Sequence, residues 1–72
     1  EETRDSVLIV EGYSDIGLVF LHQNDFNNTI KYYKKTSEYY IAHGNFYKAI
    51  YPLSNMSLAY IKLKQYDAAE KI

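Results

Sequence analysis

Apolar and aromatic residues return along this chain at intervals of three and four. Tyr13, Ile16, Gly17 and Phe20 stand at i, i+3, i+4 and i+7, one face of a helix with about 3.6 residues per turn. Phe26, Ile30, Tyr33, Ser37 and Tyr40 carry a second stripe, and Leu53, Met56, Ser57 and Tyr60 a third. The stripes break at Asn24-Asp25, at Gly44-Asn45 and near Lys64-Gln65. Asp25 is placed to cap the start of the helix that follows, and Gly44 to take the left-handed conformation that ends one. The spacing predicts four helical segments, roughly 6–23, 26–43, 46–64 and 66–72. Pro52 falls inside the third. It removes the hydrogen bond to the Lys48 carbonyl, so a kink near 48–52 is expected, the alternative being a helix that begins at Pro52.

A shift of forty residues superposes the chain on itself. Tyr13 falls on Leu53, Ser14 on Ser54, Asp15 on Asn55, Ile16 on Met56 and Gly17 on Ser57. Leu18 falls on Leu58, Phe20 on Tyr60, Phe26 on Tyr66, Thr29 on Ala69 and Lys31 on Lys71. Large residues stay large and small ones small. A fixed period of helix pairs predicts an all-α fold of the α-solenoid class.

At these residues the chain resembles the tetratricopeptide repeat family. Tyr13-x-x-Ile16-Gly17-x-x-Phe20 is similar to the family's aromatic, Leu-Gly, Tyr pattern on a first helix. Asn24-Asp25-Phe26 resembles its tight turn, and Thr29, Tyr33 and Thr36 stand where its second helix alternates small and aromatic residues. The second copy reads Leu53-x-x-Met56-Ser57-x-x-Tyr60, then Gln65-Tyr66 and Ala69. The forty-residue period exceeds the standard spacing of about 34. In that it is similar to the repeats of intracellular regulators, including Rap-type and PlcR-like peptide-pheromone receptors of Gram-positive bacteria.

The resemblance implies antiparallel helix-turn-helix units, about 1.5–2 repeats of them. Repeat one would cover about 6–45 and repeat two about 46–72, cut short. It implies a non-catalytic scaffold that binds protein or peptide, with its first helices lining a concave groove. The groove-facing positions would be Glu11, Ser14, Asp15, Leu18 and His22, then Tyr51, Ser54, Asn55, Leu58 and Lys62. Repeats that clamp acidic C-terminal tails carry Lys and Asn at the corresponding places. Ser14, Leu18, Ser54 and Leu58 stand here instead, so that activity is not expected. The alternative is the peptide- or ligand-sensing part of a bacterial signalling or transcription regulator, its effector domain lying outside this segment.

Composition narrows the rest. At 72 residues there is room for one small unit, and 47% hydrophobic residues argue for a packed chain. Eight basic against nine acidic residues leave a net charge of −1, which gives no case for nucleic acid. Without cysteine there is neither disulfide nor thiolate metal site. The apolar runs 7–10 and 18–21 are far shorter than the ~20 residues of a membrane span. No signal-peptide pattern opens the chain, so a cytoplasmic location is expected. The chain also starts without Met and stops in a helical stripe, which reads as a piece cut from a longer solenoid, prone to self-association.

His22 and His43 stand alone near predicted helix ends, outside any metal-binding spacing. Asp25-x-Asn27-x-Thr29 starts like a calcium loop but lacks its glycine and closing glutamate. No serine sits in a nucleophile elbow and no glycine-rich phosphate loop exists, so neither an enzyme nor a cofactor is expected. Lys31, Lys34 and Lys35 read as a solvated face. Tyr32 and Tyr39, seven apart, are expected to pack on an adjacent repeat.

Overall fold

The computed structural model describes residues 3–70, with side-chain surroundings for 3–65. It is all-α: α1 spans Arg4–His22, α2 Phe26–Ala42 and α3 Phe46–Glu70, and no strand occurs among the described residues. No helix among them is long and apolar enough to cross a membrane.

Two turns of the same design join the helices. At the first, Asn24 takes φ 61°. Its N–H donates to the Leu21 carbonyl at 3.1 Å, and the Asp25 N–H to the Phe20 carbonyl at 2.9 Å. At the second, Gly44 takes φ 73°. Its N–H donates to Ile41 at 3.0 Å and the Asn45 N–H to Tyr40 at 2.8 Å. Both are Schellman closures, in which a left-handed residue lets the chain satisfy the last helical carbonyls. The residue after each then caps the next helix. An Asp25 carboxylate oxygen accepts from the Asn28 N–H at 3.3 Å, and the Asn45 side-chain oxygen from the Lys48 N–H at 3.2 Å. Thr3 does the same for α1, accepting from the Ser6 N–H at 3.1 Å.

This chemistry corrects one expectation. The left-handed positions fall at 24 and 44, so the same step leads to Lys64-Gln65. Lysine has neither the freedom of glycine nor the short side chain of asparagine in that conformation, and glutamine is not a strong N-cap. No turn forms there. Instead, α3 runs on through both residues to Glu70, where a separate segment 66–72 was expected. Tyr66, Ala69, Lys71 and Ile72, which complete the second copy and its apolar stripe in sequence, lie outside the residues whose side chains are described. Nor does α3 begin at Pro52, which sits inside the helix.

Links this short force neighbouring helices antiparallel. Gly17 meets Tyr33, while Val10 and Tyr40 share one buried cluster, so positions that add to fifty face each other across α1 and α2. The middle helix packs on both of the others, whereas α1 and α3 scarcely touch. A flat layer results, 50 × 20 × 13 Å across its Cα atoms. Its core is centred on α2, where Phe26, Thr29, Tyr33, Thr36, Ser37 and Tyr40 are buried. The buried threonine and serine hydroxyls bond to backbone carbonyls one turn back. Thr29 donates to the Asp25 carbonyl at 2.9 Å, Thr36 to Tyr32 at 3.0 Å and Ser37 to Lys34 at 3.0 Å.

The outer helices differ in part from the predicted stripes. Gly17 is buried as expected, but Ile16 is exposed. On α3 the inward residues are Ala49, Pro52 and Ala59, with Met56 half-buried and 3.8 Å from the Ser37 hydroxyl. Leu53, Ser57 and Tyr60 face outward, Tyr60 being 56% exposed. The physical reason is close packing. Beside a helix as bulky as α2, small residues at 49 and 59 let the axes approach. The Tyr32 ring lies 6.0 Å from Tyr13 and 5.7 Å from Phe20, both on α1. Tyr39 packs on Tyr40 and on His43.

Candidate functional site

Because α1 and α3 flank α2 without closing on each other, a cleft of ≈ 670 Å³ opens between them. Glu11, Ser14 and Asp15 form the α1 wall, while Tyr47, Lys48, Ile50, Tyr51, Pro52 and Ser54 form the α3 wall. Thr36 and Tyr40 of α2 make the floor. Glu11 and Asp15 are one helical turn apart, as are Tyr47 and Tyr51, so each pair shares a face.

Five of the ten positions expected to face a groove are brought together here: Glu11, Ser14, Asp15, Tyr51 and Ser54. The other five are not in its lining. Asn55 is half-buried and bonds the Tyr33 hydroxyl instead. Leu18 is half-buried, and Leu58 is 41% exposed. His22 ends α1 in solvent and Lys62 is exposed. Tyr47, Lys48, Ile50 and Pro52 were not anticipated. Their signal was present in the four-residue spacings Tyr47/Tyr51 and Ile50/Ser54, which put them beside the residues that were named.

A tyrosine pair fixes the inner edge of the cleft. The Tyr33 and Tyr51 rings meet edge-on at 80°, their centroids 5.8 Å apart, and their hydroxyls lie 3.4 Å from one another. Tyr33 is 0% exposed. Burial, with the Tyr51 hydroxyl beside it, pushes its phenol well above the usual tyrosine range, partly opposed by the Asn55 hydrogen bond. The nearby Asp15 charge acts in the same direction as burial. Tyr33 is therefore a neutral hydrogen-bonding anchor at physiological pH.

The floor carries a cation already. The Lys48 ammonium stands 5.8 Å from the Tyr40 ring centroid, within the range of a cation–π contact. Two lysines of α2 stand over other rings: Lys35 lies 5.2 Å from the Tyr13 ring, and Lys31 lies 5.8 Å from Tyr32. The histidines stay at helix ends, His43 with its Nδ1 2.8 Å from the Tyr39 carbonyl. What the cleft offers is shape, aromatic faces, hydroxyls and two carboxylates. No protein-family model, curated protein or solved structure matches this chain.

Proposed function

We propose that this chain is a non-catalytic binding scaffold of tetratricopeptide type, whose cleft between α1 and α3 holds a segment of another protein or a peptide. One observation carries the reading. Residues at the same offset of the forty-residue repeat, Ser14 with Ser54 and Glu11 with Tyr51, stand on successive outer helices and line one cleft over α2. Two walls held apart by a rigid middle helix give a preformed concave surface, which lowers the ordering cost of binding. The aromatic lining suits recognition, since tyrosine presents a large rigid face and a hydroxyl at small entropic cost. Among the described residues, Glu11 and Asp15 are the only carboxylates in the lining, and no histidine accompanies them.

The experiment is a selection of random dodecapeptides displayed on phage against the immobilised chain. Recovered peptides should bind the wild type and lose binding to Ser14→Trp, which fills the cleft from α1. Peptides that bind both proteins equally, or a selection that enriches nothing, would overturn the proposal.

A further inference from the structure

Resting on the cleft reading above, we infer that the segment held there presents a lysine or arginine side chain, seated between Glu11 and Asp15 on one wall and the Tyr47 and Tyr51 rings on the other.

Charge complementarity carries the inference. The α1 wall contributes two carboxylates on one helical face and no cation. Across the cleft, Tyr47 and Tyr51 are 85% and 50% exposed, so aromatic surface on that wall is accessible to a ligand. Tyrosine rings attract cations through their electron-rich faces, and nearby carboxylates add to that attraction. The cleft shows this preference within its own walls, because the Lys48 ammonium has settled over the Tyr40 ring. Among the described residues, Lys48 is also the single basic one in the lining, set against two acidic ones.

An acidic segment would meet Glu11 and Asp15 with Lys48 as its only attraction, and a purely apolar one would leave the two carboxylates beside it without a counter-charge.

Three blocked peptides test this: acetyl-Ala-Leu-Ala-X-Ala-X-Leu-Ala-amide with X as Lys, Gln or Glu, titrated into the full chain by calorimetry. The Lys peptide should bind about tenfold tighter than the Gln peptide, the scale of a few exposed charge and cation–π contacts. In Glu11→Gln/Asp15→Asn that ratio should fall to about twofold, and in Lys48→Gln it should widen. Raising salt to about 0.5 M should narrow it in the wild type. Equal or tighter binding of the Gln or Glu peptide overturns the inference and leaves the cleft reading standing. A Lys peptide that binds Ser14→Trp as well as wild type, or three peptides that fail to bind, overturns both.

Discussion

A Cβ added at Gly17 would come within 3.0 Å of the Tyr33 ring, and Tyr33 is fully buried. The absence of a side chain on α1 is thus matched to an immobile aromatic ring on α2. Gly17→Ala gains about 1 kcal/mol of helix propensity, but the ring has little room to yield, so the two effects should largely cancel. Gly17→Leu has no such compensation and should cost roughly 1–3 kcal/mol by overpacking. Urea denaturation of the two variants checks both, and a Leu variant as stable as wild type would show that the helices do not approach here.

The burying face of α3 can be tested by the same logic. Ala59 is 0% exposed while Ser57 points outward. Ala59→Leu should lose roughly 1–3 kcal/mol, whereas Ser57→Leu should stay within about 0.5 kcal/mol of wild type. Thermal melts of the pair distinguish this register from the one in which Ser57 packs inward.

Turn chemistry yields a third prediction. Asn24 and Gly44 supply left-handed residues, and Asp25 and Asn45 supply caps, where Lys64 and Gln65 supply neither. Installing both signals, as Lys64→Gly with Gln65→Asp, should end α3 near Leu63. Backbone chemical shifts should then leave the helical range at 64–65. Unbroken helical shifts through those residues would mean that the turns are set by something other than these two side chains.

Sequence reasoning reached most of the fold for a reason visible in these turns. Both actual helix ends are encoded locally, by Asn24-Asp25 and Gly44-Asn45, and local signals are what a sequence displays. The third break was read from the interruption of the stripe near Lys64-Gln65, with no left-handed or capping residue to make it, and it does not form. The inward face of α3 was misjudged because Leu53 and Tyr60 are larger and more apolar than Ala49 and Ala59. Packing beside α2 rewards small volume there, which hydrophobicity along the chain does not reveal. Half of the expected groove positions line the cleft, while Leu18, His22, Leu58 and Lys62 lie farther along their helices than the residues that do. Tyr47 stands one turn from Tyr51 within the expected segment 46–64, a spacing that was legible in the sequence but not used.

Tyr33 gives the fold a pH dependence at the alkaline end. Burial, foremost, and the Tyr51 hydroxyl raise its phenol above the ordinary value of 10.0. The folded state therefore holds this proton more tightly than the unfolded chain does. Its contribution to stability is complete below pH 10 and is lost as pH climbs from there towards the raised folded value. Absorbance titration at alkaline pH should show a tyrosine ionising above the ordinary value of 10.0 that disappears in Tyr33→Phe. Tyr33→Phe should cost about 0.5–1.5 kcal/mol at neutral pH for the lost hydroxyl contacts, and should flatten the decline above pH 10.

The claim that the α1–α3 cleft is the binding surface is met most directly by an NMR footprint. The isotope-labelled chain would be titrated with the lysine-bearing octapeptide, and amide shifts followed residue by residue. The largest changes should fall on Glu11, Ser14 and Asp15 of α1 and on Tyr47, Tyr51 and Ser54 of α3, the two walls moving together. Shifts confined to the lysine-bearing surface of α2, at Lys31, Lys34 and Lys35, would contradict the account.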